Sequence, residues 1–275
     1  MPAAATAHYE LWCMHTDDVS ADAIGKLQKF FDRVVRVPYI IHPTTRMRSR
    51  KQEQIYGGWI AKSFTKWNIF DDTVFPPGST VMLMDADMIV TDLNATVAVA
   101  PVVPATPRND LLDVFDLVND DIDGAATFSS PWCRPFANTV MVSPYNYAHG
   151  DIADPADIQC GLNESIVAFA SMVIARPNSA HFAMMLRILR TRPVYGHRGC
   201  VSGHDEQLLA ELMLRARLRF RHIHPAYNWL VGKDAWRESL PARTLHYYNV
   251  KPWDKREVEW LDEREWWTLF DAAFA

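Results

Sequence analysis

A chain of 275 residues is long enough to bury a sizeable core, as one large α/β domain or two smaller ones. Hydrophobic residues make up 49% and charged residues 22%, the balance of a soluble globular protein. The formal net charge of −5 gives no general attraction for nucleic acid or an anionic membrane, so neither is an expected partner.

The N-terminal MPAAATAHYELWC has neither the basic lead nor the long apolar run of a signal peptide, and the expected location is cytoplasmic. Residues 8–14 and 34–41 read as two short buried strands. Between them Ser20 to Phe31 reads as a helix, with Ile24, Leu27 and Phe31 on one face and a cap supplied from Asp17 to Ser20. Residues 54–70, QIYGGWIAKSFTKWNIF, form a second helical candidate weakened by Gly57 and Gly58. PPG at 76–78 breaks the chain, and VMLM at 81–84 reads as a fully buried strand of the kind parallel sheets use. This alternation predicts an α/β layered fold.

From 100 to 160 the many prolines, the acidic NDDID and the stretch HGDIADPADIQCG predict long loops. A strand from Met172 to Ala175, a helix from Ser179 to Leu189, the loop RPVYGHRGCVSGH and an amphipathic helix from about Asp205 follow. Strand candidates recur at 219–224 and 243–248, and residues 257–275 form a C-terminal amphipathic helical segment. No stretch approaches the ~20 apolar residues of a membrane span. Cys13, Cys133, Cys160 and Cys200 form no CxxC pair and are read as reduced, mostly buried thiols. Residues 1–275 are taken as a single domain.

The chemistry concentrates in VMLMDADMIV. Asp85 and Asp87 are two residues apart, which puts both side chains on one side of an extended segment, directly after an apolar strand. Ligands of open α/β sheets bind beyond such strand ends. Two carboxylates with no basic neighbour need a cation, and hard oxygen ligands suit Mg²⁺ or Mn²⁺, which also grip a diphosphate. An acidic turn after a strand would carry the same letters. Far downstream, TLHYYNVKPWD offers His246 to complete a mixed oxygen and nitrogen site, which favours Mn²⁺, and Lys251 within reach of a phosphate on that metal.

These motifs, with FDRVVRVPYI, WIAKSFTKWNIF and GHDEQLLAEL, carry a resemblance. From about Tyr9 to Asp254 the chain resembles the glycogenin-like retaining glycosyltransferases, glycosyltransferase family eight. The resemblance implies a GT-A-type nucleotide-sugar-binding domain with a mostly parallel central sheet, a UDP-sugar donor and Mn²⁺, with Mg²⁺ as the alternative. It makes Asp85, Asp87 and His246 metal ligands, and Asp85, Asp87, Lys251 and Lys62 donor-binding residues, with Lys251 on the diphosphate. It places Asp205 and Glu206 beside the donor sugar, where Asp205 would orient the sugar and Glu206 would stabilise the developing cation; the other reading is that both carboxylates only cap the helix they open, favoured by its dipole. The acceptor would be a glycan, a protein or a small molecule.

Three departures from the family pattern stand out. The usual first strand–helix unit, which holds uracil and ribose, has no counterpart, which leaves Trp12, His15 and Thr16 as substitutes. The small-residue turn facing the donor sugar reads Ala170–Ser171–Met172, and the glycine of the C-terminal motif is Asn249, a residue that tolerates left-handed backbone angles. A nucleotide-sugar hydrolase using the same clamp and a non-catalytic relic that binds a glycan or partner are the rival readings.

Other groups keep two readings each. Arg46, Arg48, Arg50 and Lys51 either cover a diphosphate or anionic acceptor or form a solvated loop. His197, Arg198 and His204 either face the acceptor or line a loop. Trp260, Trp266, Trp267 and Phe270 either bind a sugar, partner or membrane or pack on the domain's own core.

Overall fold

Two short strands open the fold. β1 (Trp12–His15) and β2 (Arg33–Arg36) pair in parallel, Trp12 against Arg33 and His15 against Arg36. The surface helix α1 (Ala21–Leu27) joins them, capped by the Ser20 hydroxyl accepting the Ala23 amide at 3.2 Å. It stops short of the expected Phe31 because the Lys29 and Phe30 amides turn back to Lys26 and Leu27, tightening the last turn. The computed structural model describes residues 9–42, 54, 60–90, 111–128, 147–164, 168–191, 204–230, 243–247, 251–254 and 261–274.

A 3-10 helix, Ser63–Phe70, buries Phe64, Trp67, Ile69 and Phe70 and leads to β3 (Val81–Met84). β3 starts a mixed four-stranded sheet with β5 (Gly124–Phe128), β6 (Ala168–Ala175) and β7 (Phe220–His222), in the order β3-β6-β5-β7. β6 runs antiparallel to both β3 and β5, and only β5 and β7 are parallel. The expectation of a mostly parallel sheet is therefore corrected. Nor is VMLM fully buried: Leu83 is, while Val81, Met82 and Met84 are half-buried, and an antiparallel strand packed in part on both faces carries the same apolar run.

Against this sheet lie α2 (Pro155–Glu164), α3 (Ser179–Thr191) and α4 (His204–Ala216). Their apolar sides meet Phe64, Trp67, Val173 and Phe220 in the main core through Ile158, Met185, Ile188, Leu208, Leu209 and Leu212. The loop expected over 100–160 contains α2, β5 and a 3-10 helix, Leu111–Leu117. Pro155 sits at the first position of α2, where its missing amide costs nothing, and Asp154 caps it by accepting the Ala156 amide at 2.7 Å.

A third, smaller sheet decides where the chemistry goes. β4 (Met88–Val90), β8 (Trp229–Leu230) and β9 (Thr244–His246) assemble in the order β4-β9-β8. β4 follows the carboxylate pair directly, and its register sets Met88 opposite His246. The C-terminal helix α5 (Leu261–Phe274) lays Trp266 against Tyr247 and Trp253, so at least this ring packs on the chain itself. Among the described residues no helix is long and apolar enough to cross a membrane.

Candidate metal centre

β3 ends at Met84, yet the Asp85 amide still bonds the Ser171 carbonyl of β6 at 2.9 Å. The Met88 amide then bonds the Asp85 carbonyl at 3.1 Å, which folds the chain into a tight turn. Across it, the Tyr247 amide donates to the Asp87 carbonyl at 2.9 Å. Three backbone bonds thus fix both acidic side chains and bring the end of β9 beside them. One donor atom from each of Asp85, Asp87 and His246 lies within 4.8 Å of the others, an arrangement that could hold a metal ion. Two carboxylate oxygens and an imidazole nitrogen are a sound donor set for a divalent cation.

Two ammonium groups share this acidic ground. Lys251 Nζ bonds the Asp87 carboxylate and the Tyr247 carbonyl, the latter at 2.7 Å, and lies 5.5 Å from the centre of the Trp253 ring. His246 Nε2 lies 3.3 Å from Asp87 Oδ1. Burial alone would push the Asp87 carboxyl up, but His246 and Lys251 outweigh it and pull its pKa down to about 2. Asp87 is therefore ionised at any physiological pH.

The second ammonium is Lys66, with its side chain 18% exposed. Its Nζ lies 2.7 and 3.0 Å from the two oxygens of Asp85, 3.1 Å from Asp205 Oδ2 and 3.3 Å from the Ala170 carbonyl. Burial would strip its proton, but the two carboxylates prevail and hold its pKa above the ordinary lysine value. Lys62, the lysine expected from sequence, sits four residues away on the exposed surface with its Nζ 4.4 Å above the Tyr39 ring. A cation lodged between Phe64 and Trp67 in an apolar run was the available signal for Lys66, since such a charge needs buried partners.

Asp205 and Glu206 occupy the first turn of α4. Asp205 turns to Lys66, while Glu206 Oε1 accepts the Ala170 amide at 3.4 Å. Ala170–Ser171–Met172 is thus a buried length of β6 whose backbone touches Lys66, Asp85 and Glu206.

Beside Asp85 and Lys66, beyond the ends of β1 and β3, opens a cavity of about 320 Å³. His15, Thr16 and Tyr39 contribute to its wall. Asp18 gathers two of these groups, accepting from Thr16 Oγ1 at 2.6 Å and from Tyr39 Oη at 2.5 Å. Trp12 takes no part in the wall and packs on Phe75 at 5.0 Å. Cys13 is a free, half-buried thiol whose pKa burial pushes up. Arg46, Arg48, Arg50, Lys51, Cys133, His197, Arg198, Cys200, Asn249 and Trp260 lie outside the described residues, as do the side chains of Cys160 and His204. No protein-family model matches the chain, and no curated protein matches it.

Proposed function

We propose that this chain is a metal-dependent glycosyltransferase of the GT-A type, of the glycogenin-like kind, moving a hexose or related sugar from a UDP-sugar with retention of configuration. The observation that carries the reading is the convergence of Asp85 and Asp87 with His246, a residue from the far end of the sequence, beside a cavity at the strand ends. Asp85, Asp87 and His246 would hold Mn²⁺, or Mg²⁺ in its place, and the ion when bound supplies Lewis-acid neutralisation of the diphosphate leaving group.

The chain's own residues do the rest. Lys251 donates to the leaving phosphate, where its charge counts most as the sugar bond breaks. The cavity takes the nucleoside, with the Tyr39 ring and the Thr16 and His15 polar groups at its wall. Asp205, held by Lys66, orients the sugar through its hydroxyls. Glu206 presents a carboxylate to the sugar's positive charge, either trapping it or stabilising it.

The test is a panel of nucleotide sugars with Mn²⁺, reading released nucleotide with and without a glycan or protein acceptor. Fast release that needs an acceptor is the expected result. Equal release without one would make the chain a hydrolase, and no release from any donor would overturn the enzyme reading.

A further inference from the structure

Each carboxylate of the metal centre is already engaged by its own ammonium. Lys66 reaches both oxygens of Asp85, and Lys251 bonds Asp87. These are the groups a divalent cation would need, so an ion arriving at Asp85 and Asp87 meets two positive charges on its own ligands. Neither lysine depends on the metal ligands alone. Lys66 keeps Asp205 at 3.1 Å and the Ala170 carbonyl at 3.3 Å, and Lys251 keeps the Tyr247 carbonyl at 2.7 Å and the Trp253 ring. Each can therefore give up its metal-ligand carboxylate without becoming an uncompensated buried charge.

We infer that Lys66 and Lys251 are internal counter-ions that compete with the metal for Asp85 and Asp87 and pass to the donor's diphosphate when the metal binds. This rests on the metal-centre reading above. Metal binding alone must displace two ammonium groups. A diphosphate offers them a new anionic partner, so metal and diphosphate bind with positive coupling, each strengthening the other by the same factor. An empty-handed enzyme then binds its ion weakly and closes the centre only around a donor.

Mn²⁺ affinity of the full chain, measured by calorimetry or by the spin resonance of free Mn²⁺, tests this without any turnover. Lys66→Met and Lys251→Met are each expected to bind Mn²⁺ alone at least about tenfold tighter than the parent, since one competing charge is gone. At saturating Mn²⁺ both are expected to bind inorganic pyrophosphate at least about tenfold more weakly. Lys26→Met removes an equal charge from an exposed pair with Asp22 on α1 and should change neither quantity. Should Lys66→Met fail to fold, Lys251→Met at the more open pair carries the test by itself. Mn²⁺ bound by the parent and no more tightly by the folded variants would overturn the competition while leaving the centre standing. Failure of the parent and both variants to bind Mn²⁺ would overturn the centre and the inference together.

Discussion

Asp87 is the residue on which the proposed reaction depends most directly. It touches both His246 and Lys251, which together pull its pKa down to about 2 against the effect of burial. Asp87→Asn keeps the shape and removes the charge, and should lower nucleotide release by at least about a hundredfold. The pair it breaks is partly open to solvent, so the melting temperature should fall by only a few degrees, about 2–4 °C per kcal/mol. Native activity in excess chelator would sink the metal dependence outright. Glu206 asks a finer question. Its first-turn position suits the helix dipole whatever its chemistry, and its bond to the Ala170 amide is long. Glu206→Gln can accept the same amide, so thermal stability should hardly move, while kcat should drop at least about tenfold if the charge faces the sugar cation, a loss of about 1.4 kcal/mol. Transfer at the native rate would leave Glu206 with the capping role only. Four residues separate the exposed Lys62, seated on the Tyr39 ring, from Lys66, which bridges Asp85 and Asp205.

Among the elements, those with strong periodicity or wholly apolar runs were legible in the sequence. β3 lies at the expected 81–84, and α3, α4 and β9 stand within a few residues of their expected positions, because burial of one face or both selects their side chains. Strand direction was not legible, since pairing partners are chosen by connections and packing rather than by a strand's own residues. Nor was β5 legible: GAATF carries few large apolar groups because the space is taken by its neighbours. Gly124 shows this most sharply. A Cβ there would lie 2.5 Å from the Ile174 carbonyl oxygen and 2.5 Å from the Phe220 ring. Backbone cannot yield as a flexible side chain does, so Gly124→Ala should cost about 1–3 kcal/mol and lower the melting temperature accordingly. Melting at the parent temperature would mean that β5 can withdraw from β6. The two motifs of the centre were readable, but their meeting depends on β4 and β9, each only three residues long, and β4 was not expected at all.

At the scale of the molecule, buried His222 and half-buried His149 and His224 tie distant segments together and should make the fold acid-sensitive. His222 Nδ1 accepts the Phe128 amide at 3.2 Å, His149 Nδ1 accepts the His224 amide at 3.2 Å, and His224 Nδ1 accepts the Ala226 amide at 3.1 Å. A ring nitrogen that accepts cannot carry a proton, so all three are held neutral in the fold. Burial is the first cause of their low pKa values, reinforced at His222 by His224 and His149 and at His224 by His149 and Arg243, with His222 pushed down to about 3 and His224 to about 4. His149 is also lowered, by burial and Arg243 against the opposing pull of Asp113. Their unfolded value is near 6.5, so between that pH and the folded values the unfolded chain binds more protons. Stability from this source is therefore complete above about pH 6.5 and is lost as the pH falls towards 4. Fully buried His222 sets a slope of up to about 1.4 kcal/mol per pH unit, and the less buried pair adds smaller amounts. Asp87 does not interfere, because its own loss begins only below its ordinary value of 3.8. A melting curve series from about pH 7.5 to 4.5 should show a steady fall in melting temperature. His224→Asn, whose amide oxygen can take the Ala226 amide without titrating, should flatten that fall; an unaltered slope would mean that the acid sensitivity arises elsewhere in the chain.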